Sequence, residues 1–191
     1  QPIRLTRFYN VGTRFIGAGA KPKIGRQTFH GLPFTIGGNR DRCFIGFPVK
    51  KAKPVVISLH RSARRVIFAH ALLESKIHEG EPIGRVIANY VFRYHRQSEI
   101  RVPIRERFET CIVPTAWGQW PFLSMPDQKN FMQARYHGEW ANAGNRMTEA
   151  SEGMACDYYL WAWDNPHPDR VIESVTIEPA DRKFIIAAIT L

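Results

Sequence analysis

No run of about 18 or more apolar residues occurs in the 191 residues, so no helical membrane span is encoded. Cysteine is scarce. Cys43, Cys111 and Cys156 stand far apart with no CxxC pair, and an odd count excludes a fully paired disulfide framework. One disulfide among the three stays open, while Cys111, set in an apolar run, reads as a buried and inert thiol. The usual catalytic and cofactor fingerprints are missing as well. There is no GxSxG, no Walker loop and no dinucleotide motif, and Gly17-Ala18-Gly19 lacks the third glycine and following helix that motif needs. The seven histidines show neither His-x-x-x-His nor His-Glu-x-x-His spacing, which removes the common zinc signatures. The first residues, Gln1-Pro2-Ile3-Arg4, carry no charged-then-apolar signal pattern. No internal repeat and no low-complexity tract is found.

What is present is an ordinary globular balance, 44% hydrophobic and 23% charged, which argues against disorder. The length suits one domain, read as residues 1–191, with a substantial core. The net charge of +10 is uneven. Residues 1–113 carry 21 Lys and Arg against 7 Asp and Glu, whereas the rest carries 6 against 10. Such polarity points to an anionic partner or an acidic neighbour for the first part, with a solvated basic surface as the plain alternative.

Thirteen prolines and fourteen glycines punctuate the chain, which favours short strands over long helices. The strongest strand is 85–94, where Val86, Ala88, Tyr90, Phe92 and Tyr94 share one face at period two. A polar turn follows. Then Ile100, Val102 and Ile104 alternate with Glu99, Arg101, Pro103 and Arg105, completing a hairpin whose Pro103 marks an edge or bulge. Further strands are expected at 55–59, 65–73, 108–113, 158–163, 171–177 and 183–189. The last is apolar on both faces, as a central strand should be. Eight or nine strands with irregular loops predict a β-sandwich or jelly roll. Residues 114–157 lack periodicity and read as a loop-rich insertion.

Several segments together resemble a known family. They are Gly31-Leu32-Pro33-Phe34-Thr35-Ile36-Gly37, Pro54–Leu59, Ala63–Ala71, Gly84–Tyr94, Trp161-Ala162-Trp163-Asp164-Asn165-Pro166-His167-Pro168 and Ile172–Ile177. The pattern is similar to the galactose-binding-domain-like β-sandwich modules appended to bacterial glycoside hydrolases and polysaccharide-degrading proteins. It covers residues 28–113 and 155–191, and it speaks to fold more than to function. The resemblance implies sugar binding through loops at one end and an extracellular or periplasmic setting. It also implies a structural calcium in many members, although no ligand set maps onto this chain residue by residue. The 114–157 insertion and the basic charge depart from the family.

Sugar recognition needs flat aromatic faces beside polar groups. Trp117 and Trp120 in Ala116-Trp117-Gly118-Gln119-Trp120-Pro121, and Trp140 in another polar loop, are the candidates. Tyr159, Trp161 and Trp163 share a strand face and read as core. A second candidate is the non-core face of the hairpin, expected to align Arg85, Asn89, Arg93, Arg101 and Arg105, with Arg107 beyond. Guanidinium forks on a rigid sheet grip carboxylate or sulfate in pairs. Pairing with Glu99, Glu106 and Glu109 is the competing expectation for the same arginines.

Three classes remain open. A non-catalytic carbohydrate-binding module for acidic polysaccharide leads. A structural or docking subunit meeting an acidic protein surface comes next. A polysaccharide lyase is third, with His70 or His95, Tyr90 or Tyr94 as base and Arg93 on the uronate carboxylate. Nucleic acid is a weaker partner, since the basic charge fits but no nucleic-acid fingerprint is present.

Overall fold

Alternating apolar segments cut short by proline and glycine can bury their side chains only by pairing as sheets, and the computed structural model is all β. It describes residues 1–95, 98–114, 120–128, 132–133, 149–150 and 155–191. Among these the strands are β1 (Arg26–Phe29), β2 (Leu32–Thr35), β3 (Ile45–Phe47), β4 (Val55–Arg61), β5 (Arg65–Leu72), β6 (Val86–Tyr94) and β7 (Glu99–Arg105). They continue with β8 (Met125–Pro126), β9 (Met132–Gln133), β10 (Glu149–Ala150), β11 (Tyr159–Asp164), β12 (Ile172–Pro179) and β13 (Phe184–Thr190). Helix among the described residues amounts to short 3-10 turns, among them Thr13–Phe15 and Ile77–Glu79. No helix among the described residues is long and apolar enough to cross a membrane.

Two antiparallel sheets face each other. One runs β3-β13-β5-β11-β8 and the other β4-β12-β6-β7. Their inner faces share a core. Phe68, Phe184, Ile186, Trp161 and Trp163 come from the first sheet, and Ile57, Tyr90, Phe92, Tyr94 and Val175 from the second. Phe92 and Trp163 stack across the gap with ring centroids 3.6 Å apart. The five-stranded sheet is buried on its back as well. There Ala69, Ala71, Leu160, Ile185 and Ala187 pack under Phe29, Phe34 and Ile36 of the β1–β2 hairpin. That second cover explains why β13 is apolar on both sides, all seven of its residues being buried.

The N-terminal segment closes the free edge of β3. Val11 bridges Phe44, and the Cys43 N–H donates to the Val11 carbonyl at 2.9 Å. The Asn10 side chain imitates a strand partner: its Oδ1 accepts from the Gly46 N–H at 2.7 Å and its Nδ2 donates to the Gly46 carbonyl at 3.1 Å. An edge so occupied offers no ladder to a passing strand.

Two expectations need correction, and one open question closes. Val86 is exposed rather than in the core row, because an extra residue at Ile87 bulges the β6–β7 ladder between Val86 and Ala88. Ile87 turns inward instead. Residues 108–113 form no strand despite their β-favouring side chains. A tight turn occupies 106–110, with Arg107 left-handed at φ 69°, leaving only isolated bridges at Glu106–Thr110 and Leu72–Ile112. Finally, Cys43, Cys111 and Cys156 are all free thiols, so no disulfide forms among them.

Candidate functional site

The outer face of the four-stranded sheet holds most of the expected arginine row. Residues opposite in register share a face, which sets Ser58, Ser174, Arg93 and Glu99 in one line and Thr176, Val91 and Arg101 in the next. Asn89 lies in the third line, between Glu178 and Pro103. The bulge takes Arg85 out of the row.

Each of these arginines has an acidic partner. Arg85 reaches Glu81 at 3.0 Å and also pairs with Asp181. Arg93 lies 3.6 Å from Glu99, directly across the ladder. Arg101 grips both oxygens of Glu178. Arg105 donates through Nε and Nη2 to Glu109 at 3.1 and 2.6 Å. The pairing is broader than sequence proximity suggests, since Glu178 and Asp181 are far along the chain. An anion approaching this face must compete with a carboxylate at every fork.

Trp117 and Trp140 lie outside the described residues. Trp120 is half-buried, and its indole N–H has no hydrogen-bond partner among the described residues. The Trp120 carbonyl accepts from Arg107 Nε at 3.1 Å, which draws this loop toward the end of β7. There an aromatic corner forms that the sequence reading missed. The Phe122 N–H donates to the Arg107 carbonyl and the Leu123 N–H to that of Phe108, each at 2.9 Å. These bonds hold residues 122–123 against the 106–110 turn. Phe122 and Phe108 meet at 5.2 Å, with the Arg105 guanidinium 4.3 Å over Phe108 and that of Arg107 5.5 Å over Phe122. Phe122 remains 62% exposed and Leu123 55% exposed, unusual for such large apolar side chains. Cationic side chains therefore frame an open ring on a backbone that is hydrogen-bonded in place. The sequence hint was the Phe-Leu pair after Trp120, but nothing local tied it to Phe108.

Of the expected lyase groups, three lie in the interior. His70 and Tyr90 are sealed between the sheets, 1% and 0% exposed. The Glu109 carbonyl can only accept, so His70 Nε2 carries the proton and donates to it at 2.9 Å. Nδ1 then accepts from the Tyr90 hydroxyl at 3.0 Å. Burial lowers the His70 pKa to about 4, keeping the ring neutral. Tyr94 is also buried and donates to Asn165. His95 is exposed but lies 3.1 Å from Glu173. His70, Tyr90 and Tyr94 are therefore closed to a solvent-borne sugar, whereas Arg93 and His95 are exposed.

Burial pushes the Cys43 and Cys111 thiols up to about 11, so neither supplies a ready thiolate. Among the described residues no group of three or more His, Cys, Asp or Glu could hold a metal ion. By architecture the chain is an antiparallel β-sandwich with a hairpin covering one sheet. No family model matches it, and no curated protein does either.

Proposed function

We propose that this protein is a non-catalytic carbohydrate-binding module whose sugar-contacting surface is the Phe108–Phe122 corner. The observation that carries the reading is the exposed Phe122 ring, backed by Phe108 and flanked by Arg105 and Arg107. A pyranose has an apolar face of C–H groups and a rim of hydroxyls. A fixed aromatic ring takes the face, and guanidinium N–H groups donate to hydroxyl or carboxylate oxygens at the rim. The sandwich supplies rigidity, because the corner grows from the end of β7, whose inner residue Ile104 is locked in the core.

The test is a glycan array followed by calorimetry with the best neutral oligosaccharide. Wild-type protein should bind, and Phe122→Ala should weaken binding by about tenfold or more, as expected for losing one stacked ring and its buried area. Unchanged affinity in Phe122→Ala, or no binding to any glycan, would remove this reading.

A further inference from the structure

The strongest unexplained feature lies opposite in character to the arginine ribbon. Residues 1–73 contain fourteen Lys and Arg and a single carboxylate, Asp41. The N-terminal segment and the chain around β3 gather many of these cations at one edge. The Thr13 N–H donates to the Arg40 carbonyl at 2.8 Å, which sets Arg14 beside Arg40. Arg42 Nε donates to the Tyr9 carbonyl at 3.0 Å, fixing that guanidinium while its other donors stay exposed. Arg7 lies two residues before Tyr9, Lys50 and Lys51 follow β3, and Phe8 and Ala52 both pack against the inter-sheet core cluster. All six of these cations are exposed, and among the described residues none of them has an ion-pair partner.

We propose that this edge is a binding strip for a polyanionic polysaccharide bearing sulfate or carboxylate groups. Clustered cations with only Asp41 as a counter-charge in their stretch of sequence repel one another, and an extended anionic chain relieves that repulsion along the edge. Arginine forks suit planar or tetrahedral oxyanions, with Arg42 already oriented. The aromatic rings here, unlike Phe122, are half-buried against the core clusters as well as covered by cations. Arg7 lies 4.7 Å over Phe8, and Lys183 lies 4.7 Å over Phe15. That leaves no open stacking platform of the kind single-stranded nucleic acids use. The polysaccharide assignment rests on the carbohydrate-binding reading, although the strip is separate from the aromatic corner.

The test measures binding of heparin, polygalacturonate, a neutral galactan, duplex DNA and polyglutamate at low salt. It compares wild type with Arg14→Glu/Arg40→Glu and with Arg93→Glu/Arg101→Glu, each checked for an unchanged melting profile. The strip variant should lose at least about tenfold in affinity for heparin or polygalacturonate, and the ribbon variant less than about threefold. Wild-type binding should weaken about tenfold or more as salt rises fourfold. Equal loss in both variants, no loss in the strip variant, or no binding of either acidic polysaccharide overturns the proposal. So does DNA or polyglutamate binding as tightly with the same dependence on the strip. Acidic polymer captured by the strip while neutral glycans ignore Phe122 would sink the corner alone. Neutral glycans held at Phe122 with an inert strip would sink the strip alone.

Discussion

The β6–β7 ribbon and the N-terminal edge are both rich in arginine, yet they stand in opposite electrostatic states. On the ribbon, Arg85, Arg93, Arg101 and Arg105 each meet a carboxylate, three of them delivered by other elements of the fold. At the edge, Arg7, Arg14, Arg40 and Arg42 form no ion pair among the described residues, and Asp41 is the one carboxylate in residues 1–73. The ribbon's charges are matched by the protein's own carboxylates. Exposed pairs of that kind add little stability, but they blunt the affinity of each fork for anything else. Counting basic residues thus says little about anion binding until their partners are known.

The largest way to strain the comparison acts beneath the ribbon. His70 is bonded to Tyr90 of β6 and has a depressed pKa of about 4 in the folded protein, against an ordinary value near 6.5. Its contribution to stability is complete above about pH 6.5 and is lost as pH falls toward 4, because the unfolded chain takes the proton first. Between pH 7 and pH 4 the folded state should lose roughly 3 kcal/mol from this group. His70→Gln can keep both hydrogen bonds without titrating. Denaturant melts across that range should show a flatter pH profile in the variant by about that amount. Glu106, whose pKa burial raises, pulls the other way in both proteins and cancels in the difference.

A second intervention attacks the edge while leaving every charge in place. A Cβ at Gly12 would fall within the packing distance of the Arg40 carbonyl and Asp41 backbone. Gly12→Ala should cost about 1–3 kcal/mol in thermal or chemical melts. It should also weaken heparin binding, because Arg14 and Arg40 are pushed apart. A melt indistinguishable from wild type would show that the turn tolerates the displacement.

The smallest effect runs in the other direction. Glu99→Gln with Glu178→Gln releases Arg93 and Arg101 from their partners. Heparin affinity should then rise by about twofold to threefold as the ribbon gains anion-binding capacity. A fall in affinity would mean that the ribbon's carboxylates were not the competing ligands.

The sandwich was largely legible in the sequence, because strict alternation in β6 and β7 and the apolar run of β13 leave few other packings. The β1–β2 hairpin was less visible. Its turn residues His30 and Gly31 both have positive φ, 50° and 81°, the geometry usually announced by Asn-Gly. The bulge at Ile87 was hidden, since nothing in Val-Ile-Ala distinguishes it from a regular strand. Residues 108–113 misled for the opposite reason: their side chains favour strands, but the backbone turns at Arg107. At the candidate site, the arginines could be found by spacing. Their neutralisation could not, because Arg101–Glu178 and Arg85–Asp181 span 77 and 96 residues. Nor could the aromatic corner, which depends on backbone bonds between 107–108 and 122–123.

The most direct measurement is an NMR titration of the isotope-labelled chain with a short heparin oligosaccharide. The account predicts that the largest amide and arginine side-chain shifts fall within residues 4–16 and 40–53. The same account predicts little change at Arg93 and Arg101. Shifts concentrated on 85–105 instead, with a silent N-terminal edge, would contradict it.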